Sequence, residues 1–219
     1  VRVNTAPWSP AAATFPEGWH FAAGGLSGTK VQIIASSGGG DVASPEACVA
    51  VAAPAASEPG PSATRDAIIA FEPSLSHRTH AKLSEGNTLL STSDYCTALC
   101  GPELRPRSGV HSVTFRVIAK GGGVSLGLAA PSMPMGVVLG AGPSGRRHPG
   151  VGYDSGGDIR AGGPIVHRCM PKYGAGDEIR IDVDTAAANA TFFKNGVRVV
   201  QVTAAQVNTA LWDPAAAAF

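Results

Sequence analysis

Residues 176–184 read Gly176-Asp177-Glu178-Ile179-Arg180-Ile181-Asp182-Val183-Asp184, and the chain runs on through TAAANATFFKNGVRVVQV to Val202. Ile179, Ile181 and Val183 alternate with Arg180, Asp182 and Asp184, the pattern of a strand with one face buried and one in water. Asn195-Gly196 follows, between ATFFK and VRVVQV. Asn and Gly tolerate positive φ at both turn positions, so this stretch predicts a type I′ hairpin. Asp182 and Asp184 share a face of the expected strand, and two acids there could bind calcium or work as an acid/base pair. Asp177 follows a glycine at an expected turn, where its carboxylate can accept from nearby backbone amides. The apolar alternation favours scaffold over chemistry for all three.

Working outward, strand signals recur with turn signals between them. Val110–Ala119 alternates, with Val113, Phe115 and Val117 on one face and Ser112, Thr114 and Arg116 on the other. Shorter runs lie at Ala67–Phe71, Asn87–Ser93, Gly123–Pro131, Gly136–Ala141 and within VGYDSGGDIRAGG. No amphipathic helix stands out beyond one turn near Thr203–Asn208. Short strands at this spacing predict an all-β sandwich or barrel.

Bulk properties narrow the classes. The 219 residues suffice for one large or two small domains. The 28 glycines and 17 prolines mark a loop-rich chain. A net charge of +1 gives no reason to expect nucleic acid or an acidic membrane as partner. No apolar run approaches the roughly 18–20 residues that span a bilayer. No basic n-region precedes an apolar h-region, so the expected setting is intracellular, cytoplasmic or cytoskeletal rather than nuclear. Residues 1–65 differ from the rest. Trp8, Phe15, Trp19 and Phe21 lie among prolines and alanines, WHFAAGG turning into KVQIIAS suggests one hairpin, and an Ala/Gly/Ser/Pro-rich stretch follows. The expected organisation is therefore an ordered N-terminal extension over 1–65, pinned on the following domain or on a neighbouring subunit, and a sandwich over 66–219.

From about Asp66 to Phe219 the order of motifs resembles the SPRY domain family. FEPSLSHRTHAKLSEGNTLLSTS resembles its opening, and Ser108-Gly109-Val110-His111 its Ser-Gly-x-His step. Val124–Ala129, Gly152-Tyr153-Asp154-Ser155-Gly156-Gly157 and Gly176-Asp177-Glu178-Ile179 match further steps. So do Ile181–Asp184, Phe192–Gly196 and Leu211-Trp212-Asp213-Pro214-Ala215. The resemblance implies a bent two-sheet antiparallel sandwich, a concanavalin-like jelly roll. It also implies a non-catalytic domain that binds protein partners or short peptides through loops at one end.

Cys96 and Cys100 could form half a zinc site with His167 and Cys169, but the spacing is looser than structural zinc prefers, and small buried or free thiols, Cys48 included, fit better. There is no G-x-S-x-G elbow. Gly140–Gly145 lacks the Gly-Lys-Ser/Thr ending of a phosphate loop, and Pro143 removes an amide donor. Asn189-Ala190-Thr191 is a glycosylation sequon that reads as chance. No cofactor or metal is expected. Pro143–Gly150, with Arg146, Arg147 and His148 ahead of Tyr153, suits recognition of a peptide or acidic partner, and equally a plain solvated loop. Cys96–Arg107, preceded by Tyr95 and carrying Arg105 and Arg107, is similar. The expected partner-binding residues are thus Tyr95, Arg105, Arg107, Arg146, Arg147, His148 and Tyr153. Trp212 reads as core. The expected function is non-catalytic protein binding as a scaffold subunit of a larger assembly, with neighbours contacted through residues 1–65. The alternatives are a peptide-recognition module such as a ubiquitin-ligase substrate adaptor, and a carbohydrate-binding sandwich.

Overall fold

The computed structural model describes residues 18–40, 69–76, 79–85, 87–92, 95–140, 150–203 and 206. In chain order the strands are β1 (His20–Leu26), β2 (Lys30–Gly40), β3 (Ala70–Ser76), β4 (Ala81–Ser84), β5 (Thr88–Ser91), β6 (Tyr95–Gly101) and β7 (Val110–Ala119). They continue with β8 (Val124–Ala129), β9 (Gly150–Asp154), β10 (Ile159–Ala161), β11 (Ile165–His167), β12 (Glu178–Asp184), β13 (Asn189–Lys194) and β14 (Val197–Thr203). Two seven-stranded sheets result, in the orders β11-β10-β9-β8-β1-β6-β3 and β14-β13-β12-β7-β2-β5-β4. Their pairings are antiparallel, for example β7 with β12 and β1 with β8. The fold is the all-β sandwich that the strand spacing implies. Among the described residues no helix is long and apolar enough to cross a membrane.

The alternating strands place the core. Val113, Phe115 and Val117 of β7 and Ile179, Ile181 and Val183 of β12 are fully buried, and the residues between them are not. From the other sheet Phe21, Ala23, Ala98, Leu126, Val151 and Tyr153 join the same cluster. The Asn-Gly hairpin forms as the sequence requires: Asn195 and Gly196 both take positive φ, 50° and 81°. Phe192 enters the core beside it.

Two expectations about local structure are corrected. WHFAAGG and KVQIIAS do form strands, but not a hairpin. Thr29 N–H donates to Leu26 O at 3.0 Å, and the chain crosses from one sheet to the other. There β1 lies between β8 and β6, and β2 between β7 and β5. The sandwich therefore draws a central strand of each sheet from residues 20–40, ahead of the boundary expected at residue 66. Packing on both faces of β1 explains this: Phe21 and Ala23 face the main core, while Ala22 belongs to a second cluster on the outer face.

The second correction concerns Gly136–Ala141. Residues 136–140 are not a strand but the end of a strap over residues 130–140 that crosses the outer face of the β1 sheet. Small residues make room for it: Ala22, Gly127 and Gly152 share one cross-strand row and Gly24 lies in the next. Met133 and Leu139 pack with Leu99, Ala22 and Ala129 beneath. The strap's polar backbone is satisfied by the sheet's side chains. Thr97 Oγ1 donates to Val137 O (3.2 Å), Ser125 Oγ donates to Leu139 O (3.2 Å), and Leu139 N–H donates to Tyr95 Oη (3.3 Å). These bonds replace the ladder that a strand would have made.

Candidate functional site

The expected partner-binding residues that the structure describes do not converge. Tyr153 sits on β9, where period two sends Val151 and Tyr153 inward and Gly152 outward. Its ring is fully buried and packs edge-on against Tyr173 (4.9 Å) and Phe192 (6.1 Å). Its hydroxyl donates to Pro171 O, and burial, with Asp177 and Asp154 adding to it, pushes the phenol up to about 12. Tyr153 is a core residue, correcting its assignment to a binding surface. Tyr95 begins β6, so it lies about 20 Å from the end that carries Arg105 and Arg107, at about 3.3 Å per strand residue. It is half-buried under the strap, and burial pushes its phenol upward. Arg146, Arg147 and His148 lie outside the described residues, as do Cys48, Trp212 and the Leu211–Ala215 motif.

Arg105 and Arg107 remain, and the structure gives them a built setting. They lie between β6 and β7, both exposed. Neither guanidinium forms an ion pair with a described residue. Several contacts fix the backbone that carries them. Leu104 is buried, and its N–H donates to Trp19 O at 2.7 Å. Glu103 accepts from Gly18 N–H at 2.8 Å. Arg107 adopts φ 57°, a conformation that costs roughly 1–2 kcal/mol for an L-residue. Its N–H donates to Thr185 O (3.3 Å), which holds the loop against the turn joining β12 to β13.

At the base of this loop Ser108, His111 and Thr185 form a tight polar cluster. Ser108 Oγ lies 2.6 Å from Arg105 O and 2.6 Å from His111 Nε2. Thr185 Oγ1 accepts Ser108 N–H (2.9 Å) and donates to Gly109 O (2.9 Å). A serine beside a histidine invites a nucleophile reading. Counting protons decides against it. A carbonyl only accepts, so the single hydroxyl proton of Ser108 goes to Arg105 O. The reverse assignment would leave two oxygens 2.6 Å apart with no proton between them. His111 Nε2 must then carry its own proton and donate it to Ser108 Oγ. A nitrogen that donates to the serine cannot take the serine's proton. Burial lowers the His111 pKa, which favours the neutral ring. The cluster is a clamp on the arginine loop. Sequence reading singled out the Ser-Gly-x-His step only as a motif and missed Thr185. The i, i+3 spacing of Ser108 and His111 about Gly109, at φ 94°, was the available signal.

The three carboxylates of the opening stretch are each engaged internally. Asp177 accepts from Gly174 N–H (2.9 Å) and Asn195 Nδ2 (2.8 Å) and pairs with Lys194 (3.2 Å). Partial burial would raise its pKa, but those hydrogen bonds and the lysine outweigh it and the carboxyl lies below its ordinary value. Asp182 accepts from Ser112 Oγ (2.6 Å) and lies 3.1 Å from Arg180 Nε. Asp184 caps the following turn by accepting from Ala186 and Ala187 N–H. Phe193, on the face they share, has its ring covered by the Arg180 guanidinium at 4.0 Å. Cys96 and Cys100 both point into the core with zero exposure, and burial pushes the Cys100 thiol up. Cys169 is exposed. Among the described residues no group of three or more His, Cys, Asp or Glu side chains could hold a metal ion.

Elsewhere a shallow cleft of 410 Å³ opens between the strap and the edge strand β3, lined by Leu75, Met135, Pro131 and the hydroxyls of Ser74, Ser76 and Thr79. Comparison with protein-family models found none that matches the chain, and comparison with curated proteins found no match.

Proposed function

We propose that this chain is a non-catalytic protein-interaction domain, a divergent SPRY-like sandwich that recognises an acidic segment of a protein partner through the 102–109 loop. The observation that carries the reading is the clamp. Six hydrogen bonds, two donated by Ser108 and one each by Leu104, Arg107, His111 and Thr185, fix a loop whose exposed guanidiniums have no ion-pair partner among the described residues. Fixing the backbone in advance removes ordering cost at binding, and guanidinium forks match carboxylates bidentately. The motif order that resembles SPRY domains supports the same use of loops at one end. The scaffold reading keeps support from the wide range of partners such sandwiches serve, but its main argument weakens. Residues 20–40 build the sandwich itself instead of lying as a tail across a neighbour.

The test is fluorescence anisotropy with a short labelled polyglutamate peptide. The wild-type chain binds it, more weakly as salt rises. Arg105→Ala with Arg107→Ala lowers affinity by roughly tenfold or more, about 1.4 kcal/mol per factor of ten. Equal affinity in the double variant sinks the proposal.

A further inference from the structure

Asn195 and Gly196 close the β13–β14 hairpin, and both are exposed. In an Asn-Gly pair the side-chain amide is open to attack by the next backbone nitrogen, because glycine puts no side chain in the way. No atom beyond its chain neighbours lies within 4 Å of where a Cβ on Gly196 would stand. The Asn195 carboxamide is nevertheless held at both ends. Its Nδ2 donates to Asp177 Oδ1 at 2.8 Å, and its Oδ1 accepts Glu178 N–H at 2.8 Å. Asn195 N–H donates to Glu178 O, also at 2.8 Å. Asp177 is fixed in turn, accepting Gly174 N–H at 2.9 Å and pairing with Lys194 at 3.2 Å. The turn itself needs only a residue that tolerates the φ of 50° at Asn195. The two side-chain bonds go further and latch the hairpin tip to the start of β12.

We propose that Asn195 is a deamidation site, that Asp177 and the Glu178 amide keep it closed in the folded chain, and that its reaction unlatches the hairpin from β12. In the reaction Gly196 N attacks Asn195 Cγ. The N–Cγ bond forms, the Cγ–Nδ2 bond breaks, and Nδ2 leaves as ammonia with the proton that Gly196 N gives up. Water then opens the cyclic imide, and nothing is oxidised or reduced. Entry of water at Cγ returns the normal backbone with a carboxylate at position 195. Entry at the Asn195 backbone carbonyl leaves the chain running through the former side chain. Gly196 N must meet Cγ from above the carboxamide plane, and turning that plane gives up the bonds to Asp177 and Glu178. The rate in the folded chain is therefore set by how often the latch opens. The product cannot close it again. A carboxylate only accepts, so the oxygen that replaces Nδ2 meets Asp177 Oδ1 with no proton between them, and the two charges repel. The isomerised product also lengthens the backbone of a turn that depends on φ values of 50° and 81°. This site lies apart from the arginine loop and does not depend on it.

The full chain, incubated in mildly alkaline buffer and mapped by mass spectrometry, tests it. The readouts are the exchange of amide for acid at Asn195 and the isoaspartate formed there. Urea-unfolded chain loses the amide. Folded wild type loses it at least about tenfold more slowly, the factor expected for breaking one hydrogen bond to a charged group. Asp177→Ala removes that bond, and the folded variant reacts about tenfold faster than folded wild type. Ser108→Ala loosens the opposite end of β12 and keeps the wild-type rate, which separates the latch from general loosening. Asn195→Asp stands in for the unisomerised product, and amide hydrogen exchange at residues 178 and 195 is faster in it than in wild type. An unfolded chain that keeps its amide at Asn195 overturns the proposal. So does a folded wild type that reacts as fast as the unfolded chain, or an Asp177→Ala variant no faster than wild type. Equal acceleration by Ser108→Ala, or unchanged exchange in Asn195→Asp, overturns it too.

Discussion

Gly152→Ala is expected to be among the most damaging single-atom changes on the outside of this sandwich. Gly152 faces outward from β9, and the strap passes directly over it. A methyl there would fall inside the van der Waals envelope of the Leu139 carbonyl oxygen, 2.9 Å from the carbonyl carbon and 2.5 Å from Ser125 Oγ. The obstruction is backbone, so no side-chain rotation relieves it, and the strap must lift. Lifting exposes Leu139, now fully buried, at about 2 kcal/mol. It also breaks the bonds to Tyr95 Oη and Ser125 Oγ, at about 1 kcal/mol each. The expected loss is therefore about 4 kcal/mol, measured as the shift in urea-unfolding free energy at constant m. A double-mutant cycle identifies the mechanism. Tyr95→Phe alone removes the bond from Leu139 N–H and costs about 1 kcal/mol. In the Gly152→Ala background that bond is already broken, so the added cost falls towards zero. If Gly152→Ala unfolds within about 1 kcal/mol of wild type, or if the two changes are additive, the strap is not held down as argued.

Asp177→Asn should destabilise the chain at neutral pH by about 1–2 kcal/mol, since it weakens three bonds to a charged acceptor. The folded-state carboxyl lies below its ordinary value, so its contribution is full above the unfolded-state pKa and is lost as pH falls through the folded one. Wild-type and variant stabilities should therefore converge in acid, and a constant gap down to strongly acid pH would refute the assignment. Ser108→Ala strands the His111 Nε2 proton and leaves the Arg105 carbonyl only the 3.3 Å bond from the residue 108 N–H, at an expected cost of about 1–3 kcal/mol. It should also speed amide hydrogen exchange in residues 104–109, and unchanged exchange there would show that the clamp does not order the loop.

Much of the second sheet was legible because its information is local. Ile179, Ile181 and Val183 show their burial by alternation, and Asn195-Gly196 shows its turn by backbone tolerance of positive φ. The first sheet was harder. β1, with the sequence HFAAGGL, is buried on both faces except at Leu26, so it carries no alternation, and its small residues read only as one arm of a hairpin. They are small because a strap from more than a hundred residues later lies on them. Gly136–Ala141 read as a short apolar run, yet in its described part the Val137 and Leu139 carbonyls accept from the Thr97 and Ser125 side chains. The site divided in the same way. Arg105 and Arg107 were identifiable as cations on a Pro-punctuated loop. Tyr153 was misplaced because an aromatic just after a polar loop looks exposed until the strand's phase is known.

By itself, then, the sequence determined that this chain is built from short antiparallel strands with a tight Asn-Gly hairpin, because period-two burial and positive-φ turns are properties of a few neighbouring residues. Only the tertiary structure decided that residues 20–40 supply a central strand to each sheet, that Ser108 gives its proton to a carbonyl and not to His111, and that the Asn195 carboxamide is held at both ends by Asp177 and Glu178. Those outcomes depend on which distant segments come to lie side by side, and on how a single proton or carboxamide is held between them.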